Sequence, residues 1–146
     1  MKELQRGQWL LPAAGAKRRF GDIKGLLELF VRGYALKLRP ACAIARYKHK
    51  LRAPHEILHR FAERLINMDG HWAVTGGMAA RQMTQYLEPD TVTLFVDEKA
   101  RAMLKDEPML RDDANGNVTL LNLFGHAAIA EQPHNLWPLA TPLLIY

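Results

Sequence analysis

The sequence predicts an α/β (α+β) domain, a mixed and partly antiparallel sheet with helices packed on it. Three observations lead there. Segments with apolar residues at helical spacing alternate with short β-branched runs along the chain. Residues 91–96, Thr-Val-Thr-Leu-Phe-Val, carry β-branched or aromatic side chains on both faces, as an interior strand requires. Asp112-Asp113-Ala114-Asn115-Gly116 stands between two further strand-like runs and marks a local antiparallel connection.

Taken in order, residues 9–11 and 17–20 predict two short strands around the glycine-containing turn Pro12-Ala13-Ala14-Gly15-Ala16. Asp22 reads as an N-cap, after which Ile23, Leu27, Phe30, Val31, Tyr34 and Leu38 recur at helical spacing while Lys24, Glu28 and Arg32 face away. Pro40 is expected to end this helix, because the residue before proline is driven out of the α region. Residues 41–47 are small and apolar enough for a strand, which leads into the basic run Lys48-His49-Lys50-Leu51-Arg52. Pro54 opens a second helix with the core stripe Ile57, Leu58, Phe61, Leu65 and Met68, stopped by Asp69-Gly70.

Residues 72–74 predict a strand that enters Thr75-Gly76-Gly77. A third helix follows, with Met78, Ala79, Met83, Tyr86 and Leu87 inward, closed by Glu88-Pro89-Asp90. Beyond the interior strand comes a short polar helix, Glu98–Lys105. Residues 109–111 and 117–124 are expected to pair as a hairpin, with Asn115-Gly116 supplying a turn at positive φ. The apolar run 141–146 is expected to be either a docked final strand or the mark of a chain cut short.

Composition narrows the function classes. The chain has 146 residues, 49% of them hydrophobic and 24% charged, enough for a buried core. No run approaches the roughly 20 apolar residues of a membrane helix, and the N-terminus lacks a signal-peptide pattern. With Cys42 as the single cysteine, a cytoplasmic protein without disulfides is expected. Serine is absent, which excludes serine-hydrolase chemistry, and Cys42 in its apolar setting reads as a core side chain. The net charge of +5 conceals an asymmetry: residues 1–52 carry +10 and residues 53–146 carry −5. A basic half points to a polyanionic partner, and Lys17-Arg18-Arg19 at a hairpin is the candidate DNA-binding cluster, contacting phosphates without reading bases.

Two motifs bear on catalysis. His55-Glu56-Ile57-Leu58-His59 matches the zinc-hydrolase pattern H-E-x-x-H, in which two imidazoles one helical turn apart hold a metal and the carboxylate polarises a water. Against it, Pro54 puts the pair in the first turn, Arg60 adds a cation beside it, and Ala62 and Leu65 occupy the positions of the extended motif's Gly and His. Asp69 and Glu88 remain as loose third ligands. Thr75-Gly76-Gly77 between a strand and a helix is a possible anion-binding turn. The order of Gly-Gly, helix and strand is similar in outline to the polymerase-β-like nucleotidyltransferases, whose next strand alternates two carboxylates around magnesium. Here that strand offers Asp97 alone, with Thr93 and Phe95 at the alternating places. The expectation is a non-enzyme without cofactor or metal; a degenerate nucleotidyltransferase and a zinc hydrolase are the alternatives.

Several phrases in order carry a further resemblance: Leu26-Leu27 with Tyr34 and Leu38-Arg39-Pro40; Trp72 with Thr75-Gly76-Gly77-Met78-Ala79-Ala80; Tyr86-Leu87-Glu88-Pro89 with Thr93-Leu94-Phe95-Val96; Asn115-Gly116-Asn117-Val118; and Pro142-Leu143-Leu144-Ile145-Tyr146. Together, over about residues 17–146, they resemble the AbiEi-type antitoxins of type IV toxin–antitoxin systems. The resemblance implies a transcriptional regulator with an N-terminal winged helix-turn-helix on promoter DNA. It also implies an α/β C-terminal domain that takes part in repression and counters a nucleotidyltransferase toxin. On that basis residues 1–20 are the remnant of the wing, with Lys17, Arg18 and Arg19 as its phosphate-facing edge. Residues 21–146 are the antitoxin-like domain. The recognition helix is missing and relatives continue past Tyr146, so a fragment is expected. DNA, a nucleotidyltransferase-type toxin and a second copy of the chain are the partners to test.

Overall fold

A computed structural model describes residues 9–12, 18–86, 88–125, 128–130 and 137–145. The chain divides into two units, Met1–Leu38 and Arg39–Tyr146. In the first, strands β1 (Leu10–Pro12) and β2 (Arg18–Phe20) pair antiparallel, with Leu10 opposite Phe20 and Pro12 opposite Arg18, as the hairpin expectation has it. The turn at 13–17 lies outside the described residues. Helix α1 (Ile23–Gly33) starts where Asp22 predicts: its Oδ1 accepts the Gly25 backbone N–H at 2.9 Å. A π-helical run, Tyr34–Leu38, follows, and the Phe30 and Tyr34 rings stack 6.2 Å apart. The α1 stripe is less buried than its spacing suggests, since no residue of α1 is fully buried and Ile23 and Leu27 stay exposed. Periodicity specifies a face; only a covering element buries it.

The larger unit opens with α2 (Arg39–Cys42), a single turn. Pro40 therefore does not end helical backbone. The helical backbone continues through it to Cys42, and the strand begins only at Ala43. The strands are β3 (Ala43–His49), β4 (Trp72–Thr75), β5 (Val92–Val96), β6 (Leu110–Asp112) and β7 (Val118–Asn122). They form one mixed sheet in the order β4-β5-β7-β3-β6, antiparallel throughout except for the parallel β5–β7 pair. β5 is buried along its whole length, the interior position its composition predicts.

Helices α3 (Pro54–Leu65), α4 (Gly76–Thr84) and α5 (Glu98–Lys105) complete the unit. Ile57, Leu58, Phe61 and Leu65 of α3 are fully buried, with Ala100 and Leu104 of α5, whereas Met68 lies beyond the helix end and is only half-buried. α4 buries Met78 and Ala79, but Met83 and Tyr86 are exposed, Tyr86 by 93%. The helix stops at Thr84 because Gln85 takes a left-handed φ of 59°, so those later positions leave the helical face; Leu87 lies outside the described residues.

The expected hairpin of residues 109–124 does not form. β6 and β7 flank β3 on opposite sides, each antiparallel to it, and residues 113–117 cross the end of β3 between them. Nor does Gly116 adopt positive φ. It is glycine because a Cβ there would collide with the Tyr47 carbonyl and the Lys48 backbone nitrogen. The final apolar run docks as a 3-10 turn, Pro142–Leu144, rather than a strand, with Leu144 and Ile145 buried. The neighbouring residues cover the β4 edge instead: Val74 N–H donates to Pro138 O at 2.7 Å and its carbonyl accepts from Ala140 at 2.8 Å.

Candidate functional site

Of the predicted phosphate-contacting cluster, Arg18 and Arg19 lie on β2, opposite Pro12 and Leu11. Lys17 lies outside the described residues, as do the side chains of Arg18 and Arg19. Their strand pairing places Arg18 and Arg19 on a two-stranded ribbon, Arg18 in the last described pair before the turn.

Thr75, Gly76 and Gly77 do form a strand-to-helix turn, Thr75 closing β4 and Gly76 opening α4. Thr75 makes no side-chain cap to α4; its buried hydroxyl donates to the Leu144 carbonyl and so holds the C-terminal segment. Gly76 has φ +63°, a backbone that side chains disfavour, and a Cβ there would approach Thr93 and the Arg39 guanidinium. A Cβ on Gly77 would press on the Pro89 ring at 2.9 Å. Backbone conformation accounts for Gly76 and close packing for Gly77. On β5, Thr93 and Phe95 are buried where a nucleotidyl-transfer centre places a carboxylate. Asp97, the acid at the strand end, is engaged locally: Oδ1 caps α5 through Ala100 N–H at 2.8 Å, and Oδ2 accepts His71 N–H at 2.6 Å. Burial alone would raise its pKa, but those backbone donors together hold it below the usual carboxylate value.

His55, Glu56 and His59 are all exposed in α3. His55 lines a recess with Arg81, Gln82, Glu88 and Trp137, and the His59 ring sits edge-on to the same Trp137 at 5.5 Å. Arg81 is ion-paired to Glu88, one of the loose third-ligand candidates, and Asp69, the other, pairs with Lys99 at 2.7 Å. Among the described residues, no group of three His, Cys, Asp or Glu side chains could hold a metal. Cys42 is a free, buried thiol whose pKa burial pushes up, so it is a poor nucleophile.

A polar cluster that sequence reasoning missed lies under β3. Glu107 is buried, its side chain fully so, and it accepts from Arg64 at 2.9 Å with Arg60 Nε 3.4 Å away. Nearby, His49 is buried edge-on to Phe61, and its Nδ1 accepts the Leu51 backbone N–H at 3.1 Å. Asn117 clamps the same strand end, accepting from His49 N–H and donating to Leu51 O. Because Nδ1 accepts, the neutral ring carries its proton on Nε2, a buried donor without a partner among the described residues.

Desolvation lowers the His49 pKa from its ordinary 6.5, with Glu107 opposing and Arg60 adding to the fall. The folded state therefore holds the ring neutral while the unfolded chain protonates first. Stability is expected to be full above about pH 6.5 and to decline below it as the unfolded chain gains its proton first. Urea midpoints between pH 7.5 and 5 would show this, and His49→Gln should flatten that part of the profile; an unchanged slope would assign it to other groups.

A family model described as AbiEi antitoxin, a transcriptional regulator of type IV toxin–antitoxin systems, matches residues 19–146. The chain belongs to the AbiEi antitoxin family. No curated protein matches it, and neither does any solved structure. The AbiEi match begins at Arg19 and so takes in the end of β2, α1 and the whole of the larger unit. Among the described residues, no helix of this AbiEi chain is long and apolar enough to cross a membrane.

Proposed function

We propose that this AbiEi chain is a non-catalytic regulator that acts in the cytoplasm by associating with DNA and with a nucleotidyltransferase-type toxin. Family membership over residues 19–146 carries the reading. The charge distribution supports its DNA part, since the first 52 residues hold +10 and include the run Lys17-Arg18-Arg19, whose cations would contact phosphates without reading bases. The commitments of Thr75, Asp97 and His59 to packing and capping support its non-catalytic part.

Binding of duplex DNA is expected to weaken steeply with salt, and the triple variant Lys17→Ala/Arg18→Ala/Arg19→Ala is expected to reduce the slope of log K against log[salt] by up to about 2.7, at roughly 0.9 per phosphate contact. Fluorescence anisotropy across a salt series measures it. Binding that ignores salt, or a slope the triple variant leaves intact, would remove the hairpin from the interface.

A further inference from the structure

The edge strand β6 is held by little of its own. It has three residues, and no side chain from Pro108 to Asp112 is fully buried. One of its three cross-strand pairs on β3 sets Lys48 against Arg111, like charges that repel in opposed positions. Segments with so few buried contacts open at a lower free energy than the core around them. What fastens this one is the end of β3. The His49 ring, buried edge-on to Phe61, accepts the Leu51 backbone N–H through Nδ1 at 3.1 Å. Asn117 bonds His49 N–H and Leu51 O, and so ties the same strand end to the 113–117 crossing.

We infer that His49 is an acid-sensitive latch, whose protonation frees the end of β3 and lets β6 and the 113–117 crossing open while the rest of the sheet stays folded. A protonated imidazole carries N–H on both nitrogens. Nδ1–H would then meet the Leu51 N–H, donor against donor, and Nε2 is already buried without a partner. The surrounding charges supply no counter-ion. Glu107 is taken by Arg60 and Arg64, and Lys48, Lys50, Arg52 and Arg111 line one recess with His49. Asp112 of β6 stands opposite Tyr47, two residues from His49, and is exposed to water. The ring therefore has to leave its place to become charged. Burial lowers its pKa, with Glu107 opposing and Arg60 adding to the fall, in agreement with that geometry. Because the open form takes up the proton more readily than the closed one, acid favours opening.

The test is amide hydrogen exchange of the whole 146-residue chain, followed by NMR at pH 7.5 and 5.5 and corrected for the intrinsic pH dependence of exchange. The Lys50, Leu51 and Asp113 amides, bonded to Met109, His49 and Arg46, report on this end of the sheet. With the open ring titrating near about 6.5, their opening equilibrium should rise by up to about tenfold across that interval, while the β5 amides keep their protection. In His49→Gln, whose amide oxygen can still accept the Leu51 N–H, the rise should vanish. If that variant does not fold, the parent chain decides: the Leu51 amide and the Asn117 side-chain amide should shift with the midpoint of the His49 ring. An equal loss of protection in β5 would make the acid effect global unfolding and overturn the latch. A rise that survives His49→Gln, or shifts that follow another midpoint, would overturn it as well.

Discussion

Arg60→Met/Arg64→Met is expected to destabilise the fold by about 3–5 kcal/mol, because it strands the Glu107 carboxylate with no exposed atom and no cation to meet it. The effect is asymmetric. A buried ion pair contributes little net stability over well-packed apolar groups, since desolvation offsets the attraction, but an unpaired buried charge has nothing to offset its desolvation. Adding Glu107→Leu to the double variant should therefore recover most of the loss. Urea unfolding midpoints of the three proteins decide it. A triple variant no more stable than the double would show that the arginines act through their packing against α5 and not through the carboxylate.

Gly116→Ala is expected to cost about 3 kcal/mol, at the upper end of ordinary overpacking. The added methyl meets the backbone of Tyr47 and Lys48, and backbone in a paired strand cannot rotate aside as a side-chain tip does. Something larger must shift: either the 113–117 crossing lifts away from β3, with loss of the Asn117 clamp on His49 and Leu51, or β3 bends. Gly33→Ala is the control. It sits at the end of α1 with nothing within 4 Å of its missing Cβ, so alanine there should be neutral or stabilise by up to about 1 kcal/mol. Thermal unfolding of the two variants should diverge in opposite directions. A Gly116→Ala protein that melts with the parent would mean that the loop does not cross β3 this closely.

The same crossing decides which charges face each other. Because residues 113–117 carry the chain over β3, β6 pairs on its far side and Arg111 comes opposite Lys48. In the hairpin that local pattern suggests, Arg111 would have paired with β7 instead and would not face Lys48. Charge composition showed that the first 52 residues are basic; it did not show that Arg111 would stand opposite Lys48.

What the sequence determined by itself was local. The Asp22 cap, the buried stripe of α3, the exposed polar turn of α5 and the wholly buried β5 each follow from neighbours within a few residues, through side-chain hydrogen bonds and the 3.6- and 2-residue periods. Ordered phrases also carried the family resemblance. Tertiary structure alone decided which strands are neighbours, that Thr75 holds the C-terminal turn, and that Glu107 and His49 share one buried region. Strand order depends on which long loops close, and that choice is made by the total apolar surface the sheet and helices bury together. No window of sequence contains this sum, so a turn-like Asn-Gly could be read as a hairpin although the whole fold uses it as a crossing.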